Sequence, residues 1–210
     1  MNWKSRKMKL FFHYCSFGFS NCYVIGTEGS QDAVIVDPGS MDKQLLGYIE
    51  NNNFNPTAVL ITHDHTGHVH GLRTLRRIYR PEIFAINRLV ADIGTQLVKD
   101  GDMIDAGSFS VEVISIPGHS ADSAVYRAGN LLFTGDVLTA GLVGTTASAY
   151  GAAMQMNKLR SRLLSLPGDY IVLPGHGPPS TLEAERRFNV NITQFRETHG
   201  RRPAFRLGIN

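Results

Sequence analysis

Apolar positions along this chain fall into two alternating rhythms. Near the start, "CYVIG" (22 to 26) and "AVIVDPG" (33 to 39) are short β-rich runs separated by the turn-like "TEGSQD" (27 to 32), and together they predict a hairpin. "MDKQLLGYIENNN" (41 to 53) spaces its apolar residues as a helix does, and "TAVLIT" (57 to 62) returns as a buried strand. Helical "GLRTLRRIYR" (71 to 80) follows, closed by Pro81, then the strand "EIFAI" (82 to 86). Downstream come the alternating "FSVEVISIPGHS" (109 to 120), a hairpin over "SAVYRAGNLLFTGD" (123 to 136) and an amphipathic helix over "MQMNKLRSRLLSL" (154 to 166). The strand "YIVLPGHG" (170 to 177) and a helical segment from about Thr181 to Glu197 end the series. No repeat or low-complexity tract interrupts it. The expectation is a single domain over 1–210, of α/β or α+β architecture, with chemistry on the loops at strand ends.

Composition narrows the class. A hydrophobic content of 42% over 210 residues can fill a sizeable core. No apolar run approaches the roughly 20 residues that span a bilayer, and His13 interrupts "LFF" before a signal-peptide core of roughly 7 to 15 residues can form. Cys15 and Cys22 are too few for a disulfide framework and lack CxxC spacing, so they read as reduced thiols in a cytoplasmic protein. The formal charge is +3, with basic residues gathered in "KSRKMK" (4 to 9) and "RETHGRRPAFR" (196 to 206), which read as solvated surface. The expected partner is a small molecule, with no specific nucleic acid and no membrane.

Candidate chemistry concentrates in "ITHDHTGHVHG" (61 to 71), where four histidines fall within eight positions. Neutral imidazole suits divalent transition metals. His63 and His65, two apart in an extended stretch, point to one side, and His68 joins them if a helical turn begins there. His119 in "PGHS", Asp136 in "FTGDV" and His176 in "PGHG" stand at the same kind of place, after an apolar strand and beside glycine. Glycine there lets the backbone turn sharply, so that a side chain at the strand tip faces a pocket. A lone histidine would read as a cap or turn residue; six of eight at strand tips point to a metal. Asp37 in "VDPG" reads as a turn former bonding nearby backbone. Alternation turns Asp64 away from its neighbours, and His70 lies about 200° around a helix from His68, which sets both outside the ligand set.

These motifs resemble the metallo-β-lactamase superfamily and, within it, the glyoxalase II-like (hydroxyacylglutathione hydrolase-like) hydrolases. The landmark T-H-x-H-x-D-H-x-G-G corresponds to Thr62 through Gly71, followed in order by "GHS" (118 to 120), "TGD" (134 to 136) and "PGHG" (174 to 177). "SNCYVIG" (20 to 26) and "VDPG" (36 to 39) match the opening strands. The resemblance implies a four-layer αβ/βα sandwich with a metal site on one edge between two sheets. By position, one ion falls to His63, His65 and His119, a second to His68 and His176, with Asp136 bridging. The motif aspartate has no counterpart: Gly67 occupies its place, and His70 replaces the first following glycine. A second ion therefore has one carboxylate fewer and should bind more weakly. Thr145 and Ala147 lie where glyoxalase II-like chains carry Arg and Asp, and only about one helix remains where those enzymes add a glutathione-holding domain.

The reading that follows is a hydrolase of small esters or thioesters, using hydroxide generated at one or two divalent ions, with Asp136 positioning the nucleophile. Zinc is the first expectation for the metal, iron or manganese the alternatives. Two other readings are a mononuclear iron enzyme like the persulfide dioxygenases, using His63, His119 and Asp136, and a non-catalytic metal-binding relative. A nuclease is disfavoured, because 210 residues leave no room for the RNA-binding addition such relatives carry.

Overall fold

A computed structural model describes residues 7–199, with side chains to residue 194, so the C-terminal basic run lies outside the described side chains. The opening strands are β1 (Met8–Tyr14), β2 (Asn21–Thr27) and β3 (Asp32–Val36). Helix α1 (Lys43–Asn51), β4 (Asn55–Leu60), α2 (Thr66–Val69), α3 (Leu72–Tyr79) and β5 (Glu82–Ala85) follow. A small hairpin, β6 (Leu89–Val90) and β7 (Ile93–Gly94), precedes β8 (Gln96–Leu97). The second half holds β9 (Met103–Ala106), β10 (Phe109–Ser115), β11 (Ala124–Ala128), β12 (Leu131–Gly135) and the short pair β13 (Leu138–Thr139) and β14 (Leu142–Val143). It ends with α4 (Ala149–Lys158), β15 (Ile171–Pro174), β16 (Ser180–Thr181), α5 (Leu182–Phe188) and α6 (Val190–His199).

Two six-stranded sheets result, ordered β1-β2-β3-β4-β5-β8 and β16-β15-β12-β11-β10-β9. Successive residues of a strand point to opposite faces, and β2 is apolar on both. Tyr23 and Ile25 enter the core between the sheets, with Val34, Leu60, Val113, Tyr126, Phe133 and Leu173. Cys22 and Val24 face the other way, where Leu45 and Ile49 of α1 and Leu72 and Leu75 of α3 cover the first sheet. On the second sheet, Ile114, Val125 and Leu132 pack under Met156, Leu159, Leu163, Leu182 and Ile192. Helix, sheet, sheet, helix is the expected αβ/βα sandwich.

The strands β3, β4 and β5 run parallel, as do β12 and β15, so their C-terminal ends gather at one edge. The sheets are laced together there: Asn21 donates its backbone N–H to Gly175 (2.7 Å) and its side-chain amide to Pro174 (2.9 Å), while Ala124 N–H reaches Thr62 O (2.8 Å).

Two expectations needed correction, and one strand was unforeseen. The helix read over 154 to 166 begins earlier, capped by Ser148, whose hydroxyl accepts from Gly151 N–H, and passes into a π turn over Leu159–Leu163. The segment from Thr181 is two helices, broken where Asn189 takes extended backbone; its carboxamide oxygen caps α6 by accepting from Asn191 and Ile192 N–H. Strand β1 was not anticipated at all, and it pairs with β2 from Met8↔Thr27 to Tyr14↔Asn21. Among the described residues no helix is long and apolar enough to cross a membrane, and Cys15 and Cys22 are free and buried.

Candidate metal centre

Strand β4 ends at Leu60, and the extended chain that follows places His63 and His65 on one side, His63 Nε2 lying 2.9 Å from His65 Nδ1. The helical turn α2 then lifts His68 beside them, with ring centroids of His63 and His68 4.2 Å apart. From the second sheet, His119 brings its Nε2 to 3.1 Å from His65 Nδ1. Asp136, just past β12, divides its carboxylate: Oδ2 lies 3.6 Å from His119 Nε2 and 3.9 Å from His63 Nε2, whereas Oδ1 lies 3.6 Å from His68 Nε2 and 2.8 Å from His176 Nδ1. His63, His65 and His119 form one set whose ligand atoms lie within 4.8 Å of one another, and His63, His68 and Asp136 form another. His176 joins neither set. Its Nδ1 is taken by Asp136, and its Nε2 donates to the Gly18 carbonyl (3.1 Å).

These donors fit a cation. His68 Nε2 is buried and has no hydrogen-bond partner, although it is aimed at the Asp136 carboxylate side of the cluster. A buried polar atom without a partner is costly, and an ion between these groups would satisfy it. Nδ1 of each of three rings has its own partner. His63 Nδ1 meets Thr62 Oγ1 (3.1 Å), His68 Nδ1 meets Asp37 Oδ2 (3.0 Å) and His119 Nδ1 meets the Thr145 carbonyl (2.8 Å). With Nδ1–H donated outward, each Nε2 faces the centre, where a metal-ligating histidine presents its lone pair once that nitrogen is free of its proton.

Charge in the cluster is uneven. Burial carries the His63 imidazole down to about 3, assisted by the His68 charge and opposed by the Asp37 and Asp136 carboxylates. Burial also lowers His65, followed by the nearby His119 and His68. It works against a charge on His68 too, yet there Asp37 and Asp136 prevail and lift the ring to about 10. Burial alone would raise Asp136, but the hydrogen bond from His176 and the nearby His68 imidazole, 3.6 Å away, hold it well below the usual carboxylate range. His176 is raised chiefly by its bond to Asp136.

Asp37 exceeds its expected role as a turn former. It is buried, with φ at +50°, and besides His68 it accepts from Thr62 N–H (2.8 Å) and Thr62 Oγ1 (2.6 Å). Only the parallel pairing of β3 with β4, which sets the tips of both strands side by side, reveals this. Asp122, also unremarked in the sequence, accepts from Asp64 N–H (2.9 Å) and Asn87 Nδ2 (3.0 Å), holding the stretch between His63 and His65. The Asp64 side chain is exposed and accepts from Ala91 N–H (3.2 Å). His70 stacks on Phe17 with centroids 3.9 Å apart, outside the cluster. Thr145 occupies the rim, its backbone carbonyl accepting from His119 Nδ1.

Gly67 sits against the loop between β1 and β2. Its carbonyl accepts from Ser20 Oγ (2.5 Å), and a Cβ on it would meet Gly18 Cα at 3.5 Å, an ordinary contact. Gly18 is the more constrained partner: its φ is +73°, and a Cβ there would come within 2.5 Å of Gly67 Cα. The paired glycines let this loop approach closely enough for the Gly18 carbonyl to engage His176.

Fold and site together define a metal-binding αβ/βα sandwich, with a histidine and aspartate cluster between its two sheets. The chain belongs to the metallo-beta-lactamase superfamily, whose family model matches residues 15–176. It is 32% identical over 203 residues to an uncharacterised protein of Mycobacterium tuberculosis strain H37Rv, covering 80% of this chain and 91% of that protein. It is 28% identical over 193 residues to the hydroxyacylglutathione hydrolase GloC of Haemophilus influenzae, again covering 80% and 91%. Among solved structures it is similar to BLEG-1, a B3 metallo-beta-lactamase, with a TM-score of 0.80 and 25% identity over 88% of this chain and all of that one.

Proposed function

We propose that this protein is a metal-dependent hydrolase of small esters or thioesters. The observation that carries the reading is the buried, unpartnered Nε2 of His68 facing a carboxylate that also turns toward His63 and His119. Similarity to a hydroxyacylglutathione hydrolase supports the reaction class. In this reading His63, His65 and His119 hold one divalent ion, zinc in the first instance, and His68, Asp136 and His176 border a second, weaker position. Such an ion lowers the pKa of a bound water from 15.7 toward about 7 and polarises a carbonyl. The chain's own contribution is orientation. Thr62, Asp37 and the Thr145 carbonyl fix three imidazole rings, and Asp136 Oδ2 lies on the His63 and His119 side, where it can accept a hydrogen bond from an incoming nucleophile and position it. With no arginine at position 145, the rim holds no cation there for a charged substrate arm, so thioesters, simple esters and lactones of small size are the substrates to screen.

The test pairs elemental analysis with that screen on wild type, His63→Ala and His119→Ala. The proposal expects both substitutions to abolish metal retention and turnover; unchanged metal and hydrolysis would refute it. One geometric fact favours a second reading. His63, His119 and Asp136 converge without needing a residue at position 67, as a mononuclear iron persulfide dioxygenase would require. Oxygen uptake with glutathione persulfide by the iron-loaded protein would support it, and no uptake would remove it.

A further inference from the structure

Among the described residues, strand β1 lies at the edge of its sheet, with β2 on one side and no strand on the other. Two bonds that flank the paired region, Glu28 N–H to Lys7 O (2.9 Å) and Cys15 N–H to Ser20 O (2.8 Å), mark odd-numbered residues as those bonded to β2. In an antiparallel ladder the alternate residues direct N–H and C=O the other way. Met8, Leu10, Phe12 and Tyr14 therefore hold their backbone groups at the open edge.

The same residues carry an uncovered apolar ribbon. Leu10, Phe12 and Tyr14 pair with Ile25, Tyr23 and Asn21 and so share the face that turns toward the second sheet. Phe12 indeed touches Tyr23, at 5.7 Å between centroids. Nonetheless Leu10 is 40% exposed, Phe12 42% and Tyr14 53%, and Phe17 and Phe19 in the next loop are 44% and 67% exposed. Natural edges are commonly blunted by lysine. Here Lys9 bends away, its ammonium lying 3.5 Å from Asn52 Oδ1 and over the Phe54 ring.

We propose that β1 pairs antiparallel with β1 of a second copy of this chain, across a two-fold axis at Phe12. That register sets Phe12 opposite Phe12 and Leu10 opposite Tyr14, so all three outward-facing pairs bond and their side chains form one apolar face. It also sets Lys9 opposite Cys15 and Lys7 opposite Phe17, whereas sliding the axis to Lys9 would oppose two like charges directly. Taking about 200 Å² for an aromatic side chain, the exposed fractions of the five residues amount to roughly 500 Å² per copy. Complete burial of these side chains in the pair would remove at most roughly 1,000 Å², the lower limit for a specific interface, to which the backbone edge adds. A second copy is the fitting occupant because the edge is self-complementary in hydrogen bonding and in the register of its apolar side chains. The pairing brings the partner strand alongside Phe17, whose neighbour Gly18 holds His176.

Sedimentation velocity on the full-length, metal-loaded chain at micromolar concentrations, combined with hydrogen exchange, tests the proposal. The expected species has twice the 23.1 kDa chain mass, with Leu10, Phe12 and Tyr14 amides exchanging roughly tenfold or more slowly than in a dissociated chain. Phe12→Lys should give a monomer in which those even-numbered amides exchange fast while Phe11 and His13 amides stay protected, showing that the hairpin is still folded. A wild-type monomer overturns the proposal, whether its even-numbered amides exchange fast or are covered by something else. So does a dimer that survives Phe12→Lys with fast exchange at these positions.

Discussion

At the scale of single residues, Asp37 is the most informative side chain. It makes three bonds that fix the end of β4 and the His68 ring. Asp37→Ala should weaken metal binding about 10- to 100-fold, the usual effect of removing a group that orients a ligand. The same substitution leaves Thr62 N–H and His68 Nδ1 buried without acceptors, at about 1–3 kcal/mol each. Chelator competition and urea unfolding measure the two effects. Gly175→Ala should also impair metal binding, because a Cβ there would lie 2.5 Å from both Asp136 Oδ1 and His68 Cε1. His68 gives the pH dependence its sign. Its imidazole titrates near 10 in the metal-free fold, above the ordinary 6.5. Its charge therefore contributes stability that is complete below about pH 6.5 and is lost as pH rises through about 10. Scanning calorimetry of metal-free protein should show a falling midpoint between about pH 7 and 10, with a shallower fall in His68→Gln. A wild-type profile no steeper than that of the variant contradicts this. A bound ion must displace this proton, so metal affinity should rise over the same range.

Elements were legible where packing repeats a simple period. Strand β4 and helix α3 stand within a residue or two of their predicted spans, because each buries a regular apolar face. Strand β1 was illegible for a physical reason: in "MKLFFHY" one face is apolar but largely exposed and the other mixes Lys9, Phe11 and His13, so no clean buried-against-polar alternation marks the strand. The break in the last helical segment was equally hidden. Asn189 reads as an ordinary helix-surface residue, yet it is fully buried and bonded to Glu185 as well as capping α6. Asn189→Ala should cost about 1–2 kcal/mol, read as a lower urea midpoint with unchanged metal content. A cost near zero would mean that α6 needs no cap.

Across the whole molecule, the cluster was visible as residue types but not as geometry. Each of His63, His119, Asp136 and His176 follows a strand, and two sheets with gathered strand ends bring such tips together. What spacing did not disclose is how the rings are held: Asp37 and Thr145 act from other loops, and Gly18 reaches His176 from 158 positions away. Gly67 was legible as a missing carboxylate, but not as one half of a close backbone contact with Gly18. That contact belongs to the same loop that continues the exposed edge of β1, so the site and the edge share a boundary.

The central claim is that the cluster holds a divalent ion through His63, His65 and His119. Elemental analysis of protein purified without added metal tests it most directly. The account predicts about one tightly held ion per chain in wild type, a second only when metal is supplied, and loss of the first in His119→Ala. Protein that retains no ion even after metal is supplied, or a His119→Ala variant that keeps its full complement, would contradict it.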